Sequence, residues 1–245
     1  MKLLQFLLRE TEGMERHPSN LTKRVITAFV AMPVTLWILS LGHPVNIIFA
    51  GVFYIICLCE LYILIYKKSH KVSSKFFFLG FAYFACSYYG LVRIDAEVGS
   101  KIITILTCLV WASDIGGFVF GNIFGGPKLA SQISPNKTWS GSVGSVIMTI
   151  VTLSFMVSML SLLTFESKTH LVLFGVFISF CVQIGDLLES WCKRHLRVKD
   201  SSRAIPGHGG VLDRLDGYIM VFFIFALLGF LWPITGIIKE MGILL

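Results

Sequence analysis

From Val25 onward the chain is a succession of apolar runs, roughly 25–42, 45–66, 76–92, 102–124, 143–164, 171–189 and 218–238. Each comes close to the roughly twenty residues that cross a bilayer core as a helix. In lipid every backbone N–H and C=O must be bonded within its own segment, which leaves helices or a closed barrel. Unbroken apolarity, without period-two alternation, selects helices. The expectation is an all-α, polytopic integral membrane protein with about seven transmembrane helices. The third run is short, and the first two are joined by a tight Gly42-His43-Pro44 turn. Only 14% of residues are charged, against about 25% in soluble domains, which excludes a soluble domain.

Charge fixes the orientation. With the N-terminus inside, segments 1–24, 67–75, 125–142 and 190–217 hold 17 of the 21 Lys and Arg residues, and the other side keeps Arg93, Lys101, Lys168 and Lys239. That asymmetry follows the positive-inside rule and predicts a cytoplasmic N-terminus. It also accounts for the net charge of +7 without nucleic acid. Residues 1–24 form a tail: either an interfacial helix on the membrane surface or an unanchored extension, and too briefly apolar for a signal sequence. Residues 25–245 form a single membrane-embedded domain. The six cysteines lie in or beside apolar runs without zinc-site spacing and are expected to be reduced packing residues.

Polar chemistry is concentrated between Ser190 and Asp216, S-W-C-K-R-H-L-R-V-K-D-S-S-R-A-I-P-G-H-G-G-V-L-D-R-L-D. Lys193, Arg194, Lys199 and Arg214 supply cations for phosphate oxygens. Asp213 and Asp216, three residues apart, share a helix face if the residues after Gly210 are helical. Asp186, about one turn inside the preceding run and followed by Glu189, lies at nearly the same depth. Three carboxylates, Asp186, Asp213 and Asp216, converging there would make a hard-cation site; the alternative is that each pairs with a nearby arginine. His208, Gly209 and Gly210 read as a tight turn bringing backbone to a substrate, with His208 either a base or a turn stabiliser. Upstream, Ser134, Lys137 and Thr138 stand on a Pro-stiffened turn before a helix start and suit a phosphate. Asp114, deep in the fourth run, costs roughly 2.5–3.5 kcal/mol to insert, so it should face protein or a water-filled cavity in a functional or site-supporting role. The glycines around it, Gly116, Gly117 and Gly121, are read first as close helix packing and second as local unwinding. Glu60 caps, or pairs with Lys67 or Lys68, and carries no chemistry here.

These residues resemble the phosphatidate cytidylyltransferase, or CDP-diglyceride synthetase, family. Its signature is S-x-apolar-K-R-x4-K-D-x-small-x2-apolar-P/G-x-H-G-G-apolar-x-D-R-apolar-D, matched from Ser190 to Asp216 except that Cys192 stands where a larger apolar residue is usual. The resemblance extends to K-R-V-I-T-A at Lys23, to Trp111–Asp114 and to the Ser134–Trp139 loop. After K-T-W, Ser140 replaces the family's common glutamate. The resemblance implies that CTP and phosphatidate give CDP-diacylglycerol and pyrophosphate in a magnesium-dependent reaction, with a second cation such as potassium and a homodimer left open. It implies that Asp186 and Asp213 hold the cation, with Asp216 a third ligand or a support. Lys193, Arg194, Lys137 and Arg214 would clamp the phosphates. The expected location is a bacterial inner membrane, with the site facing the cytoplasm. Two rivals remain: a CTP-using lipid kinase that moves the γ-phosphate, and a transporter, whose acids would scatter through the membrane's depth.

Overall fold

The computed structural model describes residues 18–69, 74–160, 163–196 and 210–244. Eight helices are seen among them: α1 (Pro18–Ser40), α2 (Val45–Ser69), α3 (Ser74–Glu97), α4 (Ser100–Phe124), α5 (Trp139–Leu160), α6 (Lys168–His195), α7 (Leu212–Leu231) and the short α8 (Ile234–Glu240). Six of them, α2 to α7, are long and apolar enough to cross a membrane, and α1 contributes a shorter apolar stretch, Phe29–Ser40. The protein is thus an all-α polytopic membrane protein. Two small antiparallel hairpins are added, β1 (Lys128–Ala130) with β2 (Ser134–Thr138), and β3 (Thr164–Phe165) with β4 (Ile243–Leu244).

Several expected boundaries move, among them the end of α6, which runs past 189 to His195 and so carries Lys193 and Arg194 on the helix. The third run is a full helix, continuing to Glu97. Its polar end is tolerated because Arg93 pairs with Glu97 within the helix and Asp95 is bonded by side chains of other segments. The last run, expected at roughly 218–238, starts earlier, at Leu212, and stops at Leu231, because Pro233 cannot continue a helix. The turn between α1 and α2 is tight, with Gly42 at φ 73° and a cis His43–Pro44 bond.

The most enclosed of the spanning helices is α4, with Ile102, Ile103, Ile105, Leu106, Leu109 and Val110 all buried. It packs on α5 through glycines: a Cβ at Gly116 would lie 2.5 Å from the Gly144 carbonyl oxygen, and one at Gly141 would lie 2.8 Å from that of Gly117. The close-packing role expected for Gly116 and Gly117 is what the fold uses. In α7, Ile219, Met220, Val221, Phe222 and Phe225 turn into the core, where Ser87 of α3 donates to the Ile219 carbonyl (2.6 Å) and meets Tyr54 of α2 (2.5 Å). The helices alternate in direction. The ends of α4 and α6, the starts of α5 and α7 and the β1–β2 hairpin therefore gather at one end of the bundle. The α1–α2 turn, the α3–α4 connection and the β3–β4 pair lie at the other.

Candidate active site

The site is assembled where α6 finishes and α7 begins. Their approach depends on two small residues. A Cβ at Gly185 would fall 2.5 Å from the Asp216 carbonyl oxygen, and one at Gly217 would fall 2.8 Å from Val182 Cγ1. The residue after Gly185 is Asp186 and the one before Gly217 is Asp216, so this contact sets the two carboxylates side by side. Glu189, one turn beyond Asp186, completes the group: one carboxylate oxygen from each of Asp186, Glu189 and Asp216 lies within 4.8 Å of the other two.

Asp213 is placed differently from the sequence expectation. Its Oδ1 accepts from Lys193 Nζ (3.1 Å) and its Oδ2 from the Gly210 N–H (2.9 Å). Three residues along a helix amount to about 300° of rotation, leaving the pair about 60° apart; that offset sends Asp213 toward Lys193 and Asp216 toward Asp186. Glu189, passed over as a ligand in the sequence, takes the third position. Its nearness could have been read from the i, i+3 spacing to Asp186, the same argument applied to Asp213 and Asp216.

Two lysines balance the acids. Lys137 Nζ, on β2, is 2.5 Å from Asp186 Oδ2, and Lys193 Nζ is 2.5 Å from Glu189 Oε2 as well as being bonded to Asp213. Arg194 is exposed and donates from Nε to the Ile133 carbonyl (3.2 Å), tying the hairpin tip to the end of α6 and so carrying Lys137 over the acids. Local donors reach two further carboxylate oxygens: the Gly217 N–H donates to Asp216 Oδ1 (2.8 Å) and Ser190 Oγ donates to Asp186 Oδ1 (3.4 Å). Among the described residues Glu189 Oε1 is buried without a hydrogen-bond partner. A buried carboxylate oxygen without a donor is costly unless a cation reaches it.

Of the other residues singled out in the sequence, Thr138 is buried and acts as a helix cap, its Oγ1 accepting from the Gly141 N–H (3.1 Å). Ser140, in place of the family's glutamate, donates to the Gly125 carbonyl where α4 ends. Ser134 opens β2 opposite Ala130. Asp114 and Arg214 line a cavity of about 530 Å³ whose other walls include Tyr54, Trp111, Phe118 and Tyr218. Lys199, His208 and Gly209 lie outside the described residues. Glu60 is buried and accepts from the Val211 and Leu212 N–H groups (3.0 and 2.9 Å) at the start of α7.

The group is an all-oxygen, hard-donor set with ammonium groups alongside, suited to a divalent ion and to phosphates together. Comparison with known proteins points the same way. The pattern of the Cytidylyltransferase family matches residues 70–232. A phosphatidate cytidylyltransferase of Brucella melitensis is 43% identical over 143 residues, covering 58% of this chain and 51% of the relative. One from Staphylococcus haemolyticus is 39% identical over 144 residues, with the same coverage. The chain therefore spans about half the length of these curated relatives. A phosphatidate cytidylyltransferase of Rickettsia bellii is 30% identical over 221 residues, covering 86% of this chain and 92% of the relative. Since the family match runs from α3 through α7 and takes in both the lysine-bearing hairpin and the paired acids, this chain belongs to the cytidylyltransferase family.

Proposed function

We propose that the protein transfers the cytidylyl group of CTP to phosphatidate, giving CDP-diacylglycerol and pyrophosphate, at the cytoplasmic face of a bacterial inner membrane. The observation that carries this reading is the meeting of three carboxylates with Lys137 and Lys193 at one end of the bundle. The described cations Lys137, Lys193 and Arg194 gather at that same end, which supports a cytoplasmic orientation, and relatives named for this reaction supply the substrate class.

The partnerless Glu189 Oε1 and the hard-oxygen donor set fit a magnesium ion. Asp186, Glu189 and Asp216 would hold it, with Asp213 beside them through Lys193. When bound, it supplies charge neutralisation for the nucleotide's phosphate oxygens. The chain's own groups do the rest. Lys137 is carried on a hairpin and can exchange Asp186 for a triphosphate oxygen, and Arg214, in the lining of the apolar cavity, can take the lipid phosphate. A phosphatidate phosphate oxygen then attacks the α-phosphorus of CTP; the new P–O bond forms as the bond to the β-phosphate bridging oxygen breaks, and pyrophosphate leaves. Such a displacement needs positioning and electrostatic stabilisation and no covalent enzyme intermediate.

The test is the full chain in detergent with phosphatidate, magnesium and CTP labelled at either phosphate. Label from the α-phosphate is expected in lipid. Label from the γ-phosphate in lipid would instead make the protein a kinase, and no lipid label at all would overturn the reading.

A further inference from the structure

The first N–H groups of a helix have no intrahelical acceptor, and near lipid an unsatisfied one is expensive. Helix α7 meets this problem without a side-chain acceptor at its N-cap position, where Val211 stands. One acceptor comes from the helix's own first turn and the others from α2. Asp213 takes the Gly210 N–H, and Glu60, more than 150 residues earlier in the chain, takes the next two, one with each carboxylate oxygen. Glu60 is 5% exposed and rises from α2 between the buried Cys57 and Leu64, so its carboxylate has little freedom to shift. Two oxygens on two successive N–H groups fix both the depth of α7 and its rotation. Asp216 sits one turn beyond Leu212, so its direction is set by that anchorage. Glu60 itself is not in the carboxylate group that lies within ligand distance, and it falls outside the residues matched by the family pattern.

We infer that Glu60 is a positioning residue, which holds the start of α7 so that Asp216 meets Asp186 and Glu189 around a divalent cation. This rests on the cation site of the proposed function, and it is tested first without the reaction. The thermal unfolding midpoint of the full chain in detergent is followed against magnesium, and separately manganese, with no nucleotide. For Glu60→Gln, which keeps one acceptor and sets an NH2 group against a backbone N–H, the half-saturating metal concentration is expected to rise about 10-fold, the lower edge of what residues supporting metal ligands contribute. The metal activation constant for cytidylyl transfer should rise in parallel, while the KM for CTP at saturating metal stays within twofold. Glu60→Asp, which keeps both oxygens on a shorter arm, should fall between the two. A lowered midpoint with unchanged metal dependence would make Glu60 a helix cap only and overturn the inference. If Glu60→Gln does not survive extraction, Glu60→Asp decides: metal dependence shifted in the same direction supports it, and wild-type dependence overturns it. Absence of metal protection in the unsubstituted chain overturns it as well. Metal protection without transfer of the α-label sinks the reaction reading alone.

Discussion

At one end of the bundle Asp95 is enclosed by donors from three segments: Asn46 Nδ2 (2.8 Å) and Ser100 Oγ (2.6 Å) on one oxygen, His43 Nδ1 (2.9 Å) on the other. At the opposite end Asp186, Glu189 and Asp216 crowd together, and among the described residues one of their oxygens has no donor at all. Both ends put aspartate where lipid-facing helices begin or stop. Only one of them completes the aspartate's hydrogen bonding with neutral and imidazole donors, and that arrangement is a clasp between the α1–α2 turn and the α3–α4 connection. The other stacks like charges and offsets them with two lysine ammonium groups, Lys137 and Lys193. A satisfied carboxylate stabilises the fold; an under-satisfied cluster is a place where a cation and a polyanion can enter together. A pathway through the membrane would need acids strung between the two ends. Asp114 is the acid at intermediate depth, and it faces the cavity beside Arg214 instead of the Asp95 clasp.

The sharpest way to break this contrast is Asp216→Asn. Groups that merely support metal ligands are worth about 10–100-fold, so, on the proposed reading of Asp216 as a cation ligand, its loss should cut cytidylyl transfer by more than about 100-fold. The unfolding midpoint should hold or rise, since like-charge repulsion is relieved. Turnover near wild type, measured with α-labelled CTP, would remove Asp216 from the site. Next in size is Lys137→Ala. A charge-assisted hydrogen bond contributes about 1.5–3 kcal/mol, which corresponds to an increase of about 10- to 100-fold in the KM for CTP, with kcat less affected. An unchanged KM would mean that Lys137 serves only Asp186.

Why one end was legible in the sequence and the other was not is a matter of range. The functional end announced itself by local pattern: Asp186 and Asp216 stand at similar depths in consecutive runs, and the positive charge concentrates beside them. Which acid completes the set was harder, because Glu189 and Asp213 have equivalent spacing to their neighbours and only the rotation of α6 against α7 separates them. That rotation is set by Gly185 and Gly217, which look unremarkable in apolar runs. Glu60, expected to cap or to pair with Lys67 or Lys68, was not legible as the cap of another helix, since its partners lie more than 150 residues away. The Asp95 clasp was missed for the same reason. His43 reads as a surface residue and is largely exposed, yet it closes a contact with a residue 52 positions distant, and the third run, read without that contact, was expected to end at 92 and not at Glu97.

The clasp can be probed by stability alone. Asp95→Ala strips the acceptor from Asn46, a buried side chain, and from Ser100, and leaving such donors unsatisfied costs about 1–3 kcal/mol. The unfolding midpoint in detergent should fall while the turnover of the remaining folded protein, at a site on the other end of the bundle, is unchanged. A fall in kcat comparable to that of Asp216→Asn would erase the distinction between the two ends. The smallest expected effect is that of His43→Ala. Here Asp95 keeps Asn46 and Ser100, both on the same oxygen, and the released Oδ2 borders a histidine side chain that is 72% exposed, so water can replace the lost donor. A hydrogen bond exchanged for water is worth about 0.5–1.5 kcal/mol, so the midpoint should drop by less than for Asp95→Ala, again without a change in kcat. Equal losses from the two substitutions would mean that the imidazole alone supports the clasp, and that Asn46 and Ser100 are bystanders to it.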